Sequence, residues 1–300
     1  MKIKHFKAYV CALFLPLACM AEQEPFVSLQ DNQIECFCHQ EDERVGRQAI
    51  DLVLDALPSI RDEFGLVQRQ KITLVISTSD REFVHLTQNQ IPDWGVGAAD
   101  PIRSVIYMKS PRIAKTDDAF STILLHELSH VLLGQHVGEF RVSRWFDEGL
   151  AMLVANEGRW WDVWRVARAS QTHHLVPLHQ IDDVLRFRKS KAALAYQESK
   201  LAVDMLSREY GPSIYQTIIR NMDRTLSWED AFELSLGISV DVFEDSFFEK
   251  MEYRYRWYFL FDFPVYFSLV IVVLFIAAYV AKRRQSQRQL SIWEADSEHE

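Results

Sequence analysis

Residues 121–133 read Ser121-Thr122-Ile123-Leu124-Leu125-His126-Glu127-Leu128-Ser129-His130-Val131-Leu132-Leu133. The apolar residues on both sides of His126 predict a buried helix from Asp117 to Leu133, capped by Thr116 or Asp117. Two histidines and a glutamate inside such a helix each need a partner, because a desolvated polar group without one is costly. Positions i and i+4 lie one above the other on a helix face, so the imidazoles of His126 and His130 can reach one Zn2+. Glu127 stands about 100° round the axis from His126. It therefore addresses water beside the metal rather than the metal, which is the place of a general base.

A hydrolytic zinc takes a third protein ligand and keeps one position open. Two candidates follow the helix. Glu148, in Trp145-Phe146-Asp147-Glu148-Gly149-Leu150-Ala151, lies 18 positions after His130, and His136 lies six after it. H-E-x-x-H followed at this distance by W-F-x-E-G-x-A resembles the gluzincin zinc metallopeptidases, the thermolysin and aminopeptidase-like clan. It is most similar to the compact peptidase MA-like domains of exported bacterial proteins. The resemblance covers about residues 34–250, and its specific part is the motif spacing.

That resemblance implies a zincin-like fold and peptide hydrolysis by metal-activated water. His126, His130 and Glu148 become the metal ligands, with Glu127 as general base. It also implies an oxyanion donor on a helix after the third ligand, and Tyr196 in Ala195-Tyr196-Gln197-Glu198 is the matching position. The strand Ser104 to Met108 stands where related peptidases place the edge strand that pairs with an extended substrate. Asp147 can accept a hydrogen bond from His130. Thermolysin relatives place an aspartate four positions after the ligand glutamate, but here Met152 occupies it, so a partner for His126 must come from elsewhere. No G-A-M-E-N element is present, which speaks against an aminopeptidase.

Three other readings stay open. His136 as third ligand would make the chain metzincin-like, although that motif needs glycine at 133 and glycine falls at 134. A catalytically idle peptidase fold could serve as a binding or assembly module at a membrane, against which stands the intact Glu127. An intramembrane zinc protease also carries H-E-x-x-H, but here the motif lies far from the apolar C-terminal run.

The flanking sequence sets the architecture. Strands are predicted at Ile34 to His39, Lys71 to Ser77 and Ser104 to Met108, with a helix from Glu41 to Phe64 capped by Gly65. A short helix covers Asp80 to Gln88, and Pro92 to Pro101 is a loop. Helices are expected over 143–156, 158–170, 192–210, 213–222 and 228–251. A small mixed sheet followed by a run of helices is an α+β arrangement. The stretch Trp160-Trp161-Asp162-Val163-Trp164 suits a buried helix face, and His85, His173, His174 and His179 have no metal spacing.

The 300 residues are 48% hydrophobic and 25% charged, ordinary globular usage that excludes disordered and fibrous chains. Lys2, Lys4 and Lys7 precede the apolar run Ala8 to Ala18, which ends in Ala18-Cys19-Met20-Ala21. This is the layout of a signal peptide over 1–21, too short to span a bilayer. Phe263 to Ala281 is long enough, with Tyr253, Tyr255, Trp257 and Tyr258 before it and Lys282-Arg283-Arg284 after it. Positive residues stay inside. The expected organisation is therefore an extracytoplasmic domain over 22–258, a single transmembrane helix over 259–281 and a cytoplasmic tail over 282–300.

The net charge is −9, and losing the leader's three lysines makes the exported chain more acidic still. Such a surface repels phosphate backbones, so a protein or peptide substrate is expected and nucleic acid is not. Beyond the leader only Cys36 and Cys38 remain, and they read as two thiols on one strand face or a small strained disulfide.

Overall fold

The computed structural model describes residues 26–88, 95–116, 118–137, 142–158, 160–225, 227–256 and 263–297. The expected signal peptide and the helix-capping Asp117 lie outside them. The chain opens with a hairpin, β1 (Phe26–Asp31) and β2 (Ile34–His39), turned at Asn32 with φ 49°. Helix α1 (Glu43–Phe64) follows, ending as expected where Gly65 adopts φ 79° and donates its N–H to Arg61 O at 2.9 Å. Then come β3 (Ile72–Ser77), α2 (Asp80–Leu86), β4 (Gly97–Asp100) and β5 (Val105–Lys109).

The five strands form one mixed sheet in the order β1-β2-β3-β5-β4. β2, β3 and β5 run parallel, and the two edge strands pair antiparallel. Two expectations change here. β1 was not foreseen, because its burial pattern leaves most of it half-exposed. The segment expected to be a loop ends in β4, so the strand near Ser104 to Met108 is interior rather than an edge. A strand of four small residues, Gly97-Ala98-Ala99-Asp100, carries no alternation to read, yet its pairing with β5 forms the rim of the sheet.

The remaining elements are helical: α3 (Phe120–Val137), α4 (Arg144–Val154), α5 (Trp160–Gln171), a 3-10 segment (Leu178–Arg186) and α6 (Lys189–Tyr210). After them come α7 (Ile214–Met222), α8 (Trp228–Leu236), α9 (Val240–Tyr255) and α10 (Phe263–Ser297). α3 continues through Gly134, which answers a close approach rather than a stop: a Cβ there would lie 2.3 Å from Pro101 Cβ. The single helix expected over 228–251 is two. Gly237 takes the left-handed conformation at φ 75° to end α8, and the Ser239 side chain accepts from Val242 N–H to start α9.

Behind the helices lies an aromatic core. Trp145 stacks on Phe243 at 5.6 Å between ring centroids, and Phe146, Trp228 and Phe232 pack round them. The side chains of Trp160 and Trp161 lie outside the described residues. Cys36 and Cys38 are buried free thiols on one face of β2. The apolar part of α10, Tyr266–Arg288, is long and apolar enough to cross a membrane by length and composition, and none of its apolar window is buried among the described residues.

Candidate metal centre

Helices α3, α4 and α6, the edge strand β4 and the turn after α4 enclose a cleft of about 2200 Å3. His126, Glu127 and His130 come from α3, where one helical turn between the histidines places their ring centroids 4.9 Å apart. Glu148 comes from α4. Trp145 and Phe146 bury the other side of that helix in the aromatic core, which turns Glu148 towards the histidines. Its Oε2 lies 3.4 Å from His126 Nε2 and 3.6 Å from His130 Nε2. One ligating atom from each residue can thus be chosen so that all three lie within 4.8 Å of one another.

Both imidazoles are oriented through their other nitrogen. His130 Nδ1 is 2.6 Å from Asp147 Oδ1, the pairing expected from the sequence. His126 Nδ1 is 2.8 Å from Glu157 Oε1. A carboxylate on Nδ1 holds the proton there and leaves the Nε2 lone pair available to a metal. Glu157 was missed. It follows the end of α4, where Asn156 (φ 50°) and Gly158 (φ 132°) fold the chain back. Its N–H binds Met152 O at 2.9 Å, and Lys200 on α6 donates to its carbonyl. The turn thus returns a carboxylate to the neighbourhood of buried Met152, nine positions after Glu148 instead of four. The one sequence signal was an acid flanked by Asn156 and Gly158, a pair that tolerates left-handed backbone.

Arg144 was also missed. It stands at the first position of α4, and its Nε and Nη2 each lie 3.1 Å from Glu148 Oε1. α4 reaches this position because Gly149 lets it press on α6: a Cβ there would fall 2.4 Å from Ser199 O. Tyr196, on α6, lines the same cleft. β4 borders the cleft through Gly97, Ala98 and Ala99, and β5 reaches it through its last residue, Lys109. His136 is elsewhere. Its Nε2 accepts from Val67 N–H at 2.9 Å, and it lines a separate depression with Gln216 and Arg220. His85, His173, His174 and His179 are exposed.

The electrostatics of the centre favour a cation. Burial opposes charge on His126, but the Glu148 and Glu157 carboxylates outweigh it and push the imidazole up to about 10. Burial likewise opposes charge on His130, which Asp147 and Glu148 hold well above the usual range. Burial would raise Glu148, yet the two histidines and Arg144 keep it well below the ordinary carboxylate range. Glu127 is raised, chiefly by burial, and no described hydrogen bond ties its carboxylate down. Burial first and Glu148 second raise the Tyr196 hydroxyl. Two imidazole nitrogens and a carboxylate oxygen, backed by two further carboxylates, are a donor set that suits zinc.

A family model described as the Peptidase MA superfamily matches residues 54–252. The chain belongs to the Peptidase MA superfamily. Those residues contain every side chain of the centre, and they make this part of the chain a peptidase-type domain. The chain is also similar to an uncharacterized protein, YhcO, of Bacillus subtilis (strain 168), at 25% identity over 141 residues. That stretch is 44% of this chain and 42% of the relative, so the chain spans less than half of the relative's length.

Proposed function

We propose that this peptidase-superfamily chain is a membrane-anchored, gluzincin-type zinc metallopeptidase. The observation that carries the reading is the approach of His126 Nε2 and His130 Nε2 to one oxygen of Glu148, at 3.4 and 3.6 Å. His126, His130 and Glu148 hold the metal, and Asp147 and Glu157 orient the imidazoles. Zinc bound there supplies Lewis acidity, polarising a peptide carbonyl and making water acidic enough to lose a proton near neutral pH. Glu127 takes that proton at its free carboxylate as the water attacks, then delivers it to the departing amine. Tyr196 donates to the oxygen on which negative charge develops. An extended peptide lies along β4, whose outer edge pairs with no strand among the described residues and which borders the cleft.

The variants separate the roles. In the detergent-solubilised full chain, Glu127→Gln keeps zinc and loses hydrolysis of a peptide library, whereas Glu148→Ala loses both. Full zinc in Glu148→Ala sinks the ligand assignment. Wild-type protein that binds zinc but cleaves nothing sinks the peptidase reading.

Residues 1–21 act as a signal peptide, 22–258 lie outside the cytoplasm, 259–281 span the membrane and 282–300 remain inside. The apolar exposed stretch of α10 and the cations Lys282, Arg283 and Arg284 after it support this orientation. A reporter fused after Glu300 should be active only in the cytoplasm, and activity outside would reverse the topology.

A further inference from the structure

Glu148 divides its two oxygens between different partners. Oε2 faces the two histidines, while Oε1 meets, among the described residues, the guanidinium of Arg144, through Nε and Nη2 at 3.1 Å each. The Glu148 side chain is 4% exposed and that of Arg144 35%, so the arginine approaches from the cleft and closes over a buried carboxylate. The spacing i, i+4 on α4 puts the two side chains on one face. The helix start that carries Arg144 is itself anchored, since its backbone N–H donates to Asp182 Oδ1 at 2.9 Å.

We propose that Arg144 is a positioning residue for the metal: by holding Oε1 of Glu148 it allows only Oε2 to ligate, which keeps the fourth coordination position open for water. The inference rests on the zinc reading above and adds to it the way Glu148 binds. A carboxylate that pivots about its last bond can offer a metal one oxygen or two. With two oxygens it occupies the space that a hydrolytic site leaves for water or substrate. Here two N–H groups converge on one oxygen instead of bridging both, so they oppose that pivot. A guanidinium suits the task because its donors are fixed in one plane, whereas an ammonium would offer a mobile point charge.

Cobalt(II) in place of zinc gives a readout independent of activity. Four-coordinate cobalt absorbs strongly in the visible range, and higher coordination weakens the band several-fold. The full chain in detergent is loaded with Co2+ as wild type, Arg144→Gln and Arg144→Met, the second variant guarding against a fault peculiar to the first. Wild type should show the intense four-coordinate band, and both variants should lose most of it as the second oxygen of Glu148 joins the metal. An unchanged band in either variant overturns the inference while leaving the zinc reading intact. Wild type that takes up no Co2+ overturns the zinc reading and this inference together.

Discussion

Removing the Glu157 carboxylate tests how much the orientation of His126 matters to the proposed metal centre. The His126–Glu157 contact is 2.8 Å between side chains 17% and 27% exposed, so solvent screens it only in part. In Glu157→Ala the backbone of the turn keeps its anchors, Met152 O on the N–H and Lys200 on the carbonyl. The loss is therefore confined to one charge-assisted hydrogen bond, worth about 1.5–3 kcal/mol. At about 1.4 kcal/mol per tenfold, zinc should bind about 10- to 150-fold more weakly. That agrees with the 10- to 100-fold typical of outer partners of metal ligands. Glu157→Gln, which keeps an acceptor but no charge, should fall between. The measurement is equilibrium competition with a chelator, using the full chain in detergent. Zinc affinity within threefold of wild type in Glu157→Ala would refute the assignment of Glu157, and a collapse in the melting temperature would show that the turn, not the carboxylate, had been lost.

Gly149→Ala puts a Cβ 2.4 Å from Ser199 O and must push α4 off α6. Overpacking of this kind costs about 1–3 kcal/mol, and a domain of 150–250 residues loses about 2–4 °C of melting temperature per kcal/mol. An unshifted melting curve would show that the helix contact relaxes freely. Tyr196→Phe should lower kcat about 100- to 1000-fold, the loss expected for one oxyanion donor, with zinc content unchanged; near-wild-type kcat would return the tyrosine to a packing role. Glu198 is fully buried on α6 with its Oε2 accepting from Val176 N–H at 2.9 Å, and burial pushes its carboxyl up to about 8. Unfolded, such a group ionises near about 4.3, so the fold binds the proton more tightly and loses stability as pH climbs from about 4 to 8. Glu198→Gln should flatten that part of the melting-temperature profile, and parallel profiles for the two proteins would contradict the burial argument.

What the sequence by itself determined was local. The 3.6-residue period and a glycine cap placed α1, and β-branched residues placed β3. The i, i+4 spacing on an apolar helix placed His126, Glu127 and His130 on neighbouring faces before any tertiary contact was known. The motif Trp145-Phe146-Asp147-Glu148-Gly149 was legible because its residues serve one helix: aromatics inward, acids to the cleft, glycine against α6.

Only the tertiary structure decided the rest. β4 is four small residues defined by pairing with β5, so which strand forms the edge could not be read from alternation. Glu157 reaches His126 because a left-handed turn follows α4 and Lys200 from a distant helix holds it, whereas Met152 occupies the position where a regular helix would have presented the acid. Arg144 was one turn from Glu148 throughout, but an i, i+4 pair on a surface helix reads as a solvated ion pair. Burial of the carboxylate against the two histidines is what turns it into part of the centre. Periodicity reports how a residue sits on its own element. Which oxygen, which edge and which acid meet depends on how distant elements pack, and that information belongs to the fold.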